Sequence, residues 1–350
     1  MKQKPVITKA REVRPLWMSD WVRIMLKTRR PRLTFHGQTG RDYRQWRQTF
    51  AAKYREMRGP FPRPVPLNPR ILEQRLFPGC TLQKVIFDAE PAMSVPAWVC
   101  LPRPLQRGRR YPGVVCCHGH GNACEQLVGL DRQGRPILTS HREIARRLAR
   151  HGYVTIAPDW RVFGERAEPP ERLPLWANIC DAAHLAAEHF GFNLLTLDIW
   201  DAMKTVDYLV SRPEVDPSRL GCVGKSFGGT MSLHLAANDR RIRGACVSGY
   251  FAGTGDSLRD LNTCGSQTLP GLLKWGDRAE VAGLICPRPL LIQIGEYDSV
   301  FSSPGALREF GRLKAIYQAA GAGAKLGLDF FEGVHEINFE PILEWFNRWL

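Results

Sequence analysis

The chain has 350 residues, 44% apolar and 24% charged, with a net charge of +15. Those proportions suit a soluble globular protein of one large domain or two small ones, and no apolar run approaches the roughly 20 residues of a membrane span. The opening Met1-Lys2-Gln3-Lys4-Pro5 lacks the apolar core of a secretory signal, so a cytoplasmic location is expected.

Charge is distributed unevenly. Residues 1–75 hold 19 Lys and Arg against 5 Asp and Glu, a balance of +14, whereas the remaining 275 residues are nearly neutral at +1. The basic character therefore belongs to the first segment. Within it, Tyr43, Trp46, Phe50, Tyr54 and Met57 recur near helical spacing, which predicts an amphipathic helix over 41–58. Gly59-Pro60-Phe61-Pro62-Arg63-Pro64-Val65-Pro66 follows as an extended connector. Basic residues interleaved with aromatics could bind nucleic acid. The simpler reading is a prefix whose aromatic face packs on the body and whose arginines face water, with no nucleic-acid or membrane partner. The expected division is thus a helical prefix over 1–75 and a catalytic domain over 76–350.

Past the connector, strand-like runs begin with 81–87 and 95–101, which read as an antiparallel pair. Further runs at 113–117, 153–157, 220–223, 244–248, 290–294 and 326–330 alternate with helical patterns. The clearest of these is the stripe Ile199, Met203, Val206, Leu209, Val210. A hairpin followed by alternating β and α units predicts an α/β fold, a mostly parallel sheet of about eight strands with helices on both faces. The ten cysteines include Cys116, Cys117, Cys222 and Cys246 inside strand-like runs and form no C-x-x-C pair, which reads as buried free thiols.

Chemistry concentrates at strand ends. The run Leu220–Val223 leads into Gly224-Lys225-Ser226-Phe227-Gly228 and then a small-residue helical stretch, the G-x-S-x-G pattern in strand–turn–helix context. The two glycines allow close backbone approach beside a serine on a sharp turn, and the following helix aims N–H groups at a developing oxyanion. A serine needs a base, and the base an orienting acid. Asp298 follows the 290–294 strand and His335 follows the 326–330 strand, so Ser226, Asp298 and His335 stand in the nucleophile–acid–base order of α/β-hydrolases. Glu296, Asp256 and Asp260 are alternative acids. The loop His118-Gly119-His120-Gly121-Asn122 after the 113–117 strand suits a second oxyanion donor, the backbone N–H of His120, beside that of Phe227. His118 and His120 could instead ligate a metal at i, i+2, but no third ligand lies nearby in sequence.

These motifs together resemble the α/β-hydrolase superfamily, and within it the dienelactone-hydrolase-like and acetyl-xylan-esterase-like branch, over about residues 80–350. The resemblance rests on the His118–Gly121 loop, the Pro158–Glu165 run, Ser211–Arg219, the Ser226 turn and Cys286–Leu291. Two departures stand out. The nucleophile is serine where dienelactone hydrolases proper use cysteine, and Lys225 sits beside it. The stretch 160–195, rich in rings, is expected to form a lid or pocket wall through Trp160, Phe163, Trp176 and Phe190. The expected activity is hydrolysis of short-chain acyl esters through an acyl-enzyme, with no cofactor or metal. The rivals are a peptidase or amidase with the same three residues, and a binding protein that uses the basic prefix.

Overall fold

The computed structural model of the chain describes residues 15–137, 143–172, 178–259, 261 and 263–350. Among the described residues nine strands make one sheet: β1 Arg70–Phe77, β2 Cys80–Glu90, β3 Met93–Pro102, β4 Tyr111–Cys117, β5 Val154–Pro158, β6 Val215–Lys225, β7 Ile242–Ser248, β8 Leu290–Gly295 and β9 Leu326–Phe331. Their order across the sheet is β1-β2-β3-β5-β4-β6-β7-β8-β9. The first three strands run antiparallel to their neighbours, and all pairs from β5 and β4 to β9 are parallel. The count is nine rather than about eight because β1 adds to the edge. Its Ile71, Leu72 and Leu76 are exposed, so it shows no buried alternation by which a sequence reading could find it.

Both faces of the sheet are covered, which is why its central strands hold near-continuous apolar runs such as 114–117 and 290–292. Cys116 and Cys117 point to opposite faces and enter two different hydrophobic clusters, and Cys222 and Val223 divide in the same way. All ten cysteines are free. On one face lie α3 (Ile144–Arg150) and α9 (Phe339–Trp349), contributing Leu148, Ile342 and Phe346. On the other lie α5 (Leu194–Ser211), α6 (Phe227–Asn238), α7 (Arg278–Gly283) and α8 (Ser303–Ala319), with Ile199, Val206, Met231 and Leu313 inward. A further helix, α4 (Ile179–His189), precedes α5. No helix among the described residues is long and apolar enough to cross a membrane.

Two helices precede the sheet, α1 (Met18–Thr28) and α2 (Gly40–Arg58). Thr39 and Asp42 close a reciprocal capping box at the start of α2, satisfying amides that a helix end leaves open. Tyr43, Phe50 and Tyr54 of α2 are buried in the same cluster as α6 to α8, and Trp46 stacks on Phe50 at 5.4 Å. The Tyr43 hydroxyl donates to the Cys286 carbonyl at 2.5 Å. Arg41, Arg44 and Arg55 are exposed, while Arg58 is buried over the Phe61 ring. In α1 the packing is sparse, and Trp17 and Trp21 remain exposed.

Phe50 sits in a slot so close to Gly276 that a β-carbon there would lie 2.7 Å from its ring. The Phe50→Ala substitution is expected to destabilise the chain by about 3–5 kcal/mol, the usual cost of emptying a buried aromatic site. Denaturant unfolding would read this as a lower midpoint at similar slope. An unchanged midpoint would show that α2 is not part of the cooperative unit.

Candidate active site

β6 ends at Lys225, and α6 begins at Phe227. Ser226 between them has φ 62° and ψ −123°, a conformation that non-glycine residues rarely hold. The surrounding backbone enforces it. Ser226 N–H donates to the Ser248 carbonyl on β7 (3.0 Å), and the Ser226 carbonyl accepts from Thr230 N–H (3.0 Å). A β-carbon on Gly224 would stand 2.5 Å from the Gly228 carbonyl, and one on Gly228 would overlap the Cys117 carbonyl. Both glycines are therefore required for the crossing of strand, turn and helix. Phe227, as the first helical residue, has no carbonyl four residues back inside the helix for its amide.

Asp298 lies just beyond β8, and its Oδ2 is 2.8 Å from His335 Nδ1 in the loop after β9. Its Oδ1 accepts from the amides of Val300 (2.8 Å) and Phe301 (2.9 Å). Burial pushes the Asp298 carboxyl up, but the His335 hydrogen bond and those two amides outweigh it and hold the group below its usual range. Glu296 is exposed, and Asp256 pairs with Arg308 at 2.8 Å, so neither occupies this place. Asp260 lies outside the described residues. The loop carrying His335 is tied to the Ser226 turn, because Lys225 Nζ donates to the His335 carbonyl at 2.9 Å. Gly249, missed in the sequence reading, completes the junction. At φ 52° it passes the His335 ring so closely that a β-carbon would sit 3.2 Å from Nδ1.

The loop after β4 also reaches this rim. A β-carbon on Gly119 would lie 3.8 Å from that of Ser226. His118 is fully buried, its Nε2 accepting from Trp160 N–H (3.1 Å) and its Nδ1 bonded to the Gly119 carbonyl (2.9 Å). With both nitrogens used and the ring pushed toward neutrality by burial, His118 is a structural residue and not a metal ligand. The Pro158–Glu165 run holds it there. Asp159 accepts from the amides of Cys124 (2.8 Å) and Glu165 (3.0 Å), and Arg161 pairs with Asp201 at 2.9 Å.

Ser226 and His120 line a cavity of about 590 Å3, whose wall comes mainly from 250–274. Thr254, Ser257, Thr263, Gln267, Thr268 and Arg278 place polar groups on that wall among Leu258, Leu269, Leu272 and Phe301. Nη1 of Arg278 donates to the carbonyls of Tyr250 (2.7 Å) and Ala252. Of the rings expected in a wall over 160–195, the structure places one at a cavity beside His120. Trp160 is 0% exposed and packs beside His118. Phe190 is 81% exposed at the end of α4 and lines neither cavity near His120, because the helix carries it outward. Trp176 lies outside the described residues. Phe163 touches the rings of His120 and Phe227 but lines the neighbouring cavity of about 690 Å3, which shares His120 and Asn178 with the first.

His234, in α6 on the cavity wall, links the site to α2. Asn238 donates to the Tyr54 hydroxyl (2.9 Å), leaving that hydroxyl to donate to His234 Nδ1 (2.7 Å). Burial, aided by the charge of Arg278, pulls His234 down from 6.5 to about 3. The unfolded chain therefore takes up this proton from about pH 6.5 downward while the folded chain refuses it until about pH 3. Stability from this group is present above 6.5 and is lost as the pH falls, at about 1.4 kcal/mol per pH unit. Urea midpoints between pH 7 and 4.5 are expected to fall more gently in His234→Asn than in the parent. Parallel slopes would refute the assignment.

With the geometry in place, relatives are informative. The profile of the Dienelactone hydrolase family matches residues 110–265, from β4 through the Ser226 turn to the cavity wall. A Bacteroides fragilis NCTC 9343 structure designated a candidate acetyl xylan esterase superposes with a TM-score of 0.75 at 19% identity, covering 93% of this chain and 84% of its own. The chain has the α/β-hydrolase fold. Glucuronoyl Esterase from Solibacter usitatus shares it with a TM-score of 0.63 at 15% identity, covering 88% and 93%. The protein YtaP of Bacillus subtilis (strain 168) is 27% identical to this chain over 275 residues, 74% of this chain and 83% of YtaP.

Proposed function

We propose that the chain is a serine carboxylic-ester hydrolase working through an acyl-enzyme, with Ser226 as nucleophile, His335 as general base and Asp298 as orienting acid. One observation carries the reading: a strained serine facing a cavity, tied through Lys225 to the loop whose histidine bonds Asp298. In the reaction His335 takes the Ser226 proton as Oγ attacks the ester carbonyl, and the amides of Phe227 and His120 hold the oxyanion. The imidazolium then protonates the departing alcohol. Water, activated by the same ring, attacks the acyl-enzyme and releases the acid and Ser226. The esterase relatives among the superposed structures support this class of reaction.

The hydroxyl and amide side chains of Thr254, Ser257, Thr263, Gln267 and Thr268 suit a hydroxylated alcohol half such as a sugar, with a short acyl group held near Ser226. A series of aryl esters from two to twelve acyl carbons, run beside acetylated sugars and matched amides, tests this. The expected kcat/KM peaks at two to four carbons and then collapses. An open apolar tunnel would instead add about 0.8 kcal/mol for each methylene buried. A maximum at eight or more carbons would sink the short-acyl reading, and faster amide than ester turnover would make the chain an amidase.

A further inference from the structure

The imidazole of His120 has neighbours that ester hydrolysis does not use. Its Nε2 lies 3.2 Å from Cys180 Sγ, and Cys264 Sγ joins them, the three atoms all lying within 4.8 Å of one another. They come from three separate places: the loop after β4, the first turn of α4, and the turn before the short helix Gly265–Gln267. A tetrahedral ion with bonds of about 2.3 Å to sulfur and 2.0–2.1 Å to nitrogen has ligand–ligand edges of roughly 3.5–3.8 Å. The separations in the cluster, 3.2 Å for one pair and none above 4.8 Å, bracket that edge.

The backbone around the thiols is built to hold them. Asn178 caps α4 by accepting from Cys180 N–H (3.0 Å), and Asp181 accepts from Gly265 N–H (2.8 Å). Gly265 has no room for a side chain, since a β-carbon would stand 2.6 Å from the Cys180 carbonyl and overlap His184. The segment bearing Cys264 is thus pressed onto the turn bearing Cys180. Ser266 Oγ (3.0 Å) and Gln267 Nε2 (3.7 Å) surround Cys264 Sγ with groups able to donate to a thiolate. A second cluster, Cys124, Glu125 and Asp159, differs in kind, because Lys84 Nζ sits 2.9 Å from Glu125 and supplies the positive charge itself.

We propose that His120, Cys180 and Cys264 form a three-ligand site for a thiophilic divalent cation, zinc by its donor set, with the fourth position opening toward the cavity that Ser226 lines. Two sulfurs and an imidazole favour zinc over magnesium or calcium, and three protein ligands with one position left for water or a substrate oxygen make an open site. His120 and Cys264 both line that cavity. The ion would clamp the His120 loop to the 263–268 wall. This goes beyond ester hydrolysis and stands without it.

The test uses the reduced full-length chain, stripped with a chelator and titrated with Co2+ and then Zn2+, in the parent and in Ser226→Ala. One equivalent of cobalt is expected to bind with a thiolate-to-cobalt charge-transfer band and tetrahedral visible bands, and zinc should displace it. Cys180→Ser and Cys264→Ser should each weaken binding by at least ~100-fold, since even partners outside the ligand set are worth 10–100-fold. X-ray absorption on the zinc-loaded parent, which needs no variant to fold, should show two sulfurs and one nitrogen. A sulfur-free first shell, or a Cys180–Cys264 disulfide that persists under thiol reductant with zinc present, would overturn the site. An intact cobalt spectrum in Ser226→Ala keeps this result separate from the fate of the esterase reading.

Discussion

Ser226→Ala is expected to remove ester turnover by a factor on the order of 10⁴–10⁶ while the melting profile stays close to that of the parent. The asymmetry follows from where the hydroxyl stands. It lies at the cavity surface and packs little, yet it supplies the covalent step. A β-carbon without Oγ still fits the strained turn, because Gly224 and Gly228 carry the steric burden on either side. An aryl phosphonate should add its mass to the peptide containing residue 226 in the parent and to none in the variant. Equal hydrolysis by both would place the nucleophile elsewhere.

The second large effect belongs to the acid. Asp298→Asn keeps the shape and the contact to the Val300 and Phe301 amides through its carbonyl oxygen, but it turns an N–H toward His335 Nδ1. The imidazole must then accept there and carry its proton on Nε2, which leaves no lone pair for the serine. Loss of about 10⁴ in kcat is expected, with KM little changed. Glu296→Gln, one residue past the same strand but exposed, should remain within a fewfold of the parent. If Glu296→Gln does the damage and Asp298→Asn is mild, the acid has been assigned to the wrong carboxylate.

What could be read from sequence follows the range of the constraint. The Ser226 turn is legible because its sterics are local: two glycines and a serine within five residues state the geometry. Seven of the eight predicted strands owe their apolar content to burial; β9, at one edge, is legible from its apolar residues although none is fully buried, and β1 escaped because the other edge leaves its side chains in water. Asp298 and His335 are visible as polar residues at strand ends. Gly249 is not, since its requirement comes from a ring that meets it only after folding. The pocket was legible only in part. Phe163 lines the cavity beside His120, whereas Trp160 packs against His118 and most of the wall around Ser226 comes from 250–274, whose threonines and serine follow no period. His120, Cys180 and Cys264 are invisible as a set, because no local spacing joins them.

The docking of α2 also sets an order in time. Its Tyr54 meets His234, 180 residues later, and its Tyr43 meets Cys286, 243 residues later. At ~5–20 residues per second of synthesis, the helix waits roughly 12–50 s after it is made before its last partner exists. During that interval Tyr43, Trp46, Phe50 and Tyr54 form an amphipathic stripe with nothing to cover it. The exposed Arg41, Arg44 and Arg55 give this waiting segment a positive charge, and like charge opposes the association of one nascent copy with another.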